Sequence, residues 1–382
     1  MGVLESLKKS SFVHLLFAIT FFTSGIIINI LQSILYLGLK PFSKHYYRKI
    51  NYYLCYSFYC QLVFMAEWWS GSELTIYIDK NDFDKYYGKE HGYLLMNHSY
   101  EIDWLIGWMF CDRIKMLGNC KAYAKKSIQY IPTLGWAWKF AESVFLERSW
   151  DKDKETIGQQ ISELGDYPDT MWLLLYAEGT RFTAEKLELS QKFAKEKGLP
   201  ILKHHLTPRT KGFTASIPHL RGKVDALYDI QLAFNPKAAI KPTMTNLLRG
   251  EKVEAHMYIR REYLSKIFLM MNRPLLHGCT RNMKKNFIET GDFFATSGVP
   301  KTDKFKLERR YYSLLNTIFW AIIVLVPMLY YLVKLFISGS TIAFTFGVGI
   351  IVLFFLLMYK TIGMSEISRG SSYGAAMSKK TN

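Results

Sequence analysis

Three apolar runs constrain this chain more than any other feature: residues 11–39 near one end, and 314–333 and 341–359 near the other, all without Asp, Glu, Lys or Arg. A helix needs about 20 apolar residues to cross a bilayer, so each run is long enough. Lys334 and the Ser338-Gly339-Ser340 turn separate the last two, which predicts a tight transmembrane hairpin returning the tail to the side it left. The first run reads as one tilted span or a bent re-entrant pair. It exceeds the apolar core of a signal peptide, and no small-residue cleavage pattern ends it. Lys40, Lys44, Arg48 and Lys49 follow it, and a positive-inside bias then places the next domain in the cytosol. Lys301, Lys304, Lys306, Arg309 and Arg310 precede the hairpin and suit an anionic cytosolic leaflet.

Between these runs the texture changes. Residues 51–69 are crowded with Tyr, Phe and Trp and predict a helix at the membrane interface or packed on the domain. From residue 73 onward short apolar runs alternate with polar helical patterns, the signature of a sheet with helices packed on it. Strands are expected at 74–78, 92–96, 115–124, 144–146, 170–177, 226–234 and 254–260, and helices from about 99, at 151–165 and at 184–197. The predicted organisation is an N-terminal membrane segment (1–50), an aromatic interfacial helix (51–72) and a mixed α/β domain with flanking helices and a C-terminal extension (73–300). A basic juxtamembrane segment, two transmembrane helices and a cytosolic tail complete it (301–382).

The chain carries 49 Lys and Arg against 32 Asp and Glu, a net charge of +17. Such a balance suits nucleic acid, or anionic lipid and phosphorylated ligands. No nucleic-acid signature accompanies it, whereas membrane segments do, so nucleic acid is set aside. The five cysteines are odd in number and form no Cys-x-x-Cys pair, which argues against a disulfide framework or zinc site. The nine histidines form no His-Glu-x-x-His or paired His boxes, so neither His204 nor His205 is read as a metal ligand and no metal is expected.

Three strand ends present polar groups. The run Tyr93-Leu94-Leu95-Met96 ends in Asn97-His98-Ser99, with Asp103 inside the helix that follows. From there a carboxylate can reach back to the imidazole and hold its tautomer, leaving the other ring nitrogen to accept a proton near neutral pH. The run ending at Ala177 gives Glu178-Gly179-Thr180-Arg181, where a glycine permits a sharp turn and an arginine offers a planar fork for phosphate. Phe145-Leu146-Glu147 ends at Arg148. Each taken singly is equally an ordinary turn or edge cation. Ligands bind at the carboxyl ends of strands in open α/β sheets, and three such ends point to one site.

Asn97-His98 with Asp103 resembles the His-x4-Asp motif of the glycerolipid acyltransferases, and Glu178-Gly179-Thr180-Arg181 resembles their Glu-Gly-Thr-Arg motif. Phe145-Leu146-Glu147-Arg148 is similar to the intervening Phe-x-x-Arg block, with Glu142 in place of its customary glycine. The segment from Lys203 to Phe213, with Pro208, Arg209, Thr210, Lys211 and Gly212, resembles the proline-containing motif of the gamma and delta branch of 1-acylglycerol-3-phosphate acyltransferases. The likeness covers residues 73 to about 262, and the terminal apolar runs fit the same branch.

The resemblance implies acyl transfer from acyl-CoA, as co-substrate and without a bound cofactor, to the sn-2 hydroxyl of lysophosphatidic acid. It makes His98 the general base and Asp103 its orienting partner. Asn97, Arg148, Glu178, Gly179, Thr180 and Arg181 become substrate-binding residues, and Lys125, Lys126, Arg209 and Lys211 candidates for CoA or lipid phosphate. The rival expectations are another lysophospholipid head group, or an inactive lipid-binding membrane protein; intact His98, Asp103, Glu178 and Arg181 argue against the latter. Lys379 and Lys380 near the carboxyl end resemble the dilysine retrieval signal read by a cytosolic coat, which implies the endoplasmic-reticulum membrane with the catalytic domain in the cytosol.

Overall fold

A computed structural model describes residues 2–131, 133–147, 149–265 and 302–366. Arg148, Cys279, Lys379 and Lys380 lie outside the described residues, as does much of the expected extension before residue 300. Three helices open the chain: α1 (Val3–Lys9), α2 (Ser11–Gly38) and α3 (Lys44–Phe64), the last continued by one π-helical turn, Met65–Trp69. There follow β1 (Glu73–Tyr77), α4 (Lys80–Tyr86), β2 (Gly92–Met96) and α5 (Asp103–Arg113). Next come β3 (Cys120–Lys125), α6 (Leu134–Phe140), β4 (Val144–Leu146), α7 (Trp150–Leu164) and β5 (Trp172–Tyr176). The domain continues with α8 (Ala184–Glu196), α9 (Thr210–Leu220), β6 (Ala226–Phe234), α10 (Met244–Leu248) and β7 (Glu254–Tyr263). A two-residue strand β8 (Lys304–Phe305) leads to the long helices α11 (Tyr311–Ile337) and α12 (Thr341–Ser365).

The strands form one mixed sheet in the order β4-β3-β5-β2-β6-β7-β1-β8. Its centre is parallel: β2 lies between β5, with Leu94 opposite Leu174, and β6, with Leu94 opposite Tyr228. The antiparallel pairs are β6 with β7 and β1 with β8. Five consecutive apolar or small residues make up β2, and all are buried because both faces are covered. Leu94 and Met96 join the core beneath α5 and α3, while Tyr93 and Leu95 face the core under α7 and α9. The basic segment from residue 301 is not merely juxtamembrane, since β8 adds a strand to the sheet.

Two expectations shift. The helix expected from about residue 99 begins at Asp103, because its carboxylate accepts the N–H groups of Ser99 at 2.8 Å and Tyr100 at 3.0 Å and holds those residues in a turn. The aromatic helix expected from residue 51 starts at Lys44, where Ser43 Oγ accepts the Tyr46 N–H. It packs on the domain: Tyr47, Cys55, Phe58 and Tyr59 are fully or almost fully buried.

Among the described residues three helices are long and apolar enough to cross a membrane: α2, α11 and α12. They are not alike. In its most apolar window α2 is 44% buried, against 17% for each of the others, which expose apolar faces of the kind lipid covers. Domain residues meet α2 near its middle and the chain just outside its two ends. Lys9 lies 3.9 Å from Glu251, Gly25 sits against Thr133 and Phe58, and Lys40 just past the helix end pairs with Glu142 at 2.9 Å. A side chain at Gly25 would meet Thr133 Cβ at 2.9 Å, so the helix approaches the domain more closely there than an alanine allows. A helix touched by the polar domain near both ends lies along it, rather than projecting away as a free span.

The hairpin is tied to the domain by buried charge. Arg113 donates to Glu67 at 2.8 Å and to the Leu307 carbonyl at 3.0 Å. Arg310 donates to the carbonyl of Asp112 at 2.7 Å and its carboxylate at 3.2 Å. Inside the bundle Asn316 and Trp320 of α11 both bond to Ser57 of α3. Such hydrogen bonds are a common means of joining helices where the lipid offers no hydrophobic drive.

Glu142, standing where a glycine is customary, takes φ +60°, a left-handed conformation that costs an L-residue about 1–2 kcal/mol. Its carboxylate is clasped by Arg48 at 2.8 Å and Lys40 at 2.9 Å. Burial opposes the charge, yet the hydrogen bond from Arg48 and the two cations hold the carboxyl below its ordinary range. The strain is therefore compensated by joining the N-terminal helices to the edge of β4. Removing one member of a buried pair costs about 3 kcal/mol, so Glu142→Ala is expected to lose about that much stability. Glu142→Gly is expected to lose about 1 kcal/mol less, because glycine relieves the backbone. Denaturant unfolding in detergent micelles measures both. A Glu142→Ala protein as stable as the parent would show that the clasp carries no weight.

Candidate active site

The carboxyl ends of β2, β3 and β5 point the same way, because β2 and β3 are both parallel to β5. The turns leaving them therefore meet at one edge of the sheet. His98 is the second residue past β2. Its Nδ1 lies 3.0 Å from Asp103 Oδ2, the same oxygen that receives the Ser99 and Tyr100 N–H groups. Asp103 is fully buried, while the His98 side chain keeps 15% of its surface exposed. With the Asp103 oxygen as acceptor, the contact calls for Nδ1–H, which leaves Nε2 with its lone pair. The imidazole stacks on Tyr176, ring centroids 4.0 Å apart at 20°. Burial, together with the Asp103 charge, pushes the Tyr176 phenol far above its ordinary range, so the ring stacked on His98 is neutral.

The Glu-Gly-Thr-Arg turn is bonded directly to this histidine. The Phe182 N–H donates to the His98 carbonyl at 2.7 Å, and the His98 N–H donates to Glu178 Oε1 at 3.3 Å. Glu178 Oε2 accepts the Leu206 N–H at 3.3 Å. Glu178 is fully buried, with both oxygens on main-chain donors. It knits the turn of His98 to the segment before α9. Asn97 is likewise bonded to the main chain. Its amide donates to the Leu232 carbonyl at 2.9 Å and accepts the Leu232 N–H at 2.8 Å, clamping the end of β2 to β6.

Gly179 has φ +69°, and a side chain there would meet Arg209 Cδ at 2.9 Å. Only glycine lets Arg209 cross the turn, so Arg209 belongs to the site, helped by its N–H donating to the Ala177 carbonyl at 2.8 Å. Thr180 is buried, and Lys186 Nζ donates to its hydroxyl at 3.1 Å and to the Arg181 carbonyl at 2.9 Å. Lys186 was not anticipated. It lies in the first turn of α8, whose pattern reads as a solvated polar helix, five and six residues past the groups it bonds. Arg181 donates through Nη1 to the Ser365 carbonyl at 2.7 Å, while its Nε is buried without a partner among the described residues.

The remaining cations stand apart. Lys125 is exposed at the end of β3, and Lys211 is exposed in the first turn of α9. Lys126 pairs with Glu147, which Lys152 also approaches at 3.2 Å, so the edge of β4 holds a cluster of its own. Among the described residues no group of three or more His, Cys, Asp or Glu is arranged to hold a metal, and Cys55, Cys60, Cys111 and Cys120 are free thiols.

Comparison with known proteins places this site in a family. Residues 79–213 match the family model described as Acyltransferase, a stretch that includes both the His98–Asp103 and Glu178–Arg181 motifs. The chain is 40% identical to human 1-acyl-sn-glycerol-3-phosphate acyltransferase gamma over 100% of both chains. It is 40% identical to the human delta enzyme, over 99% of this chain and 98% of that one. Among solved structures, the 1-acyl-sn-glycerophosphate acyltransferase PlsC of Thermotoga maritima aligns with a TM-score of 0.44 and 11% identity, over 74% of this chain and 95% of that one. Full-length identity at this level, over the motifs whose side chains meet at the sheet edge, makes the chain a member of the 1-acyl-sn-glycerol-3-phosphate acyltransferase family.

Proposed function

We propose that the protein transfers a fatty acyl group from acyl-CoA to the sn-2 hydroxyl of 1-acylglycerol 3-phosphate, giving phosphatidic acid and free CoA. The observation that carries this reading is the 3.0 Å contact between His98 Nδ1 and a fully buried Asp103, hydrogen-bonded through the main chain to the Glu-Gly-Thr-Arg turn. Relatives matching the whole chain bear the name of that reaction.

In this mechanism His98 Nε2 takes the proton as the lipid hydroxyl attacks the thioester carbonyl, and Asp103 stabilises the imidazolium that forms. The tetrahedral intermediate collapses by breaking the C–S bond, and the imidazolium returns its proton to the departing thiolate. The thioester is already activated, so neither an acyl-enzyme nor a further cofactor enters the scheme. Arg181 binds the acceptor phosphate by charge-assisted hydrogen bonds, with Arg209 and Lys186 adding positive charge beside it. Arg148, Lys125, Lys126 and Lys211 are assigned supporting roles toward the phosphates of CoA or lipid. His98→Ala is expected to lower turnover by about 1,000-fold without loss of folding, within the range that general-base catalysis supplies. Labelled acyl-CoA against a panel of lysophospholipid head groups checks reaction and acceptor together. Near-normal turnover in the mutant would sink the mechanism, and a preference for a head group other than phosphate would sink the acceptor.

The apolar faces of α11 and α12 and the basic residues before them support a membrane-bound enzyme with its domain on the cytosolic side. The endoplasmic reticulum is the proposed membrane, through coat recognition of Lys379 and Lys380. Replacing both lysines by serine is expected to shift the steady-state distribution beyond that compartment by microscopy. An unshifted protein would remove the coat from the scheme.

A further inference from the structure

Arg181 leaves the Glu-Gly-Thr-Arg turn and meets the opposite end of the chain. Its Nη1 donates to two main-chain carbonyls, Ser365 at 2.7 Å and Glu366 at 3.4 Å. Ser365 is the last residue of α12. Its carbonyl therefore belongs to the four that a helix end leaves without an intrahelical N–H. These oxygens carry the negative end of the helix dipole, and a guanidinium is a favoured neighbour for them.

The opposite edge of the same guanidinium is different. Arg181 Nε is buried and makes no hydrogen bond among the described residues. A buried cationic N–H without an acceptor is costly, and it persists where the surroundings impose it and a ligand answers it. The guanidinium is planar and its donors form a rigid fork. With Nη1 turned toward α12, the side-on pair formed by Nε–H and the inward N–H of Nη2 is left for a bidentate acceptor.

From this geometry we infer that the carboxyl end of α12 is part of the acceptor site. It holds Arg181 by the Nη1 edge, so that the Nε edge is presented to a phosphate monoester. The inference rests on the reading of Arg181 as the phosphate ligand and adds the membrane hairpin as the element that orients it. The hairpin is thus more than an anchor: the depth at which α12 ends sets the direction of the fork, and attachment to the membrane and recognition of the head group become one structural unit. Ser365 acts through Arg181 and touches no substrate, so it is a positioning residue.

The test displaces that helix end in the full-length protein, reconstituted in phosphatidylcholine nanodiscs. Ser365→Pro removes the N–H of the last turn and drives the ring against the carbonyl one turn earlier, moving the Ser365 carbonyl from Arg181. Thr341→Pro, at the first position of the same helix where proline is well tolerated, is the control. The expected result is a KM for lysophosphatidic acid raised about tenfold by Ser365→Pro, the effect of losing about one well-oriented hydrogen bond to a charged group. The KM for acyl-CoA, kcat and the melting temperature stay at parent values, and Thr341→Pro changes none of them. Ser365→Gly, which loosens the last turn without a steric clash, moves the same KM in the same direction by less. An unchanged acceptor KM overturns the inference. A lowered one does so too, since the helix end would then compete with phosphate instead of orienting its ligand. A parent enzyme with no preference for phosphate head groups overturns the acceptor reading itself, a failure visible before any variant is made.

Discussion

One buried oxygen, Asp103 Oδ2, organises the catalytic edge of this protein. It receives three donors within 3.0 Å: the imidazole of His98 and the main-chain N–H groups of Ser99 and Tyr100. A carboxylate at zero exposure is tolerable only when its charge is answered in this way. The same contacts curl residues 99–102 into a turn, postpone α5 to residue 103, and set the ring of His98. Local backbone, helix start and tautomer are consequences of a single arrangement. Asp103 therefore supports the fold of the turn as well as the chemistry proposed for it.

Around that point the neighbouring motif residues divide their work. Asn97 and Glu178 carry polar side chains into the interior and direct them at main-chain groups of Leu232, His98 and Leu206. Buried polar groups with complete partners specify a geometry more sharply than apolar packing does, because any displacement leaves an unpaired donor or acceptor. Arg181, Arg209 and Lys186 supply positive charge at the rim. A motif string such as Glu-Gly-Thr-Arg thus mixes a buried strut, a turn that only glycine permits, and a cation.

The membrane-associated parts are integrated with this domain. The N-terminal helices are joined to the edge of β4 through the Glu142 clasp, and the C-terminal hairpin reaches α5 through Arg310 and Asp112 and the active-site turn through Arg181 and Ser365. Helix α5 is accordingly held at both ends: Asp103 at the catalytic end, and Asp112 with Arg113 at the other. Glu142 illustrates how a departure from a family pattern is accommodated. A strained backbone at φ +60° persists where two cations from another element hold the side chain that strains it.

Much of this was legible in the residues alone. The residue pattern located β2 and β6 at their observed bounds, β2 because a strand buried on both faces reads as an unbroken apolar run. The His98–Asp103 pair and the Glu178–Arg181 turn stood out because polar residues abruptly end such runs. Two things were not legible, and for one reason. That Glu178 and Asn97 point inward and that Arg181 meets Ser365 across 184 residues of sequence separation both depend on contacts between distant segments. Likewise, the length and composition of residues 11–38 state that a helix can enter a membrane. Only the packing of Lys9, Gly25 and Lys40 against the domain shows that it lies alongside. Composition and spacing determine which groups are present and which local structures they favour. Which groups meet is decided by the order of strands in the sheet and the return of the helices, because a side chain's partners are set by the fold and not by its neighbours in the chain.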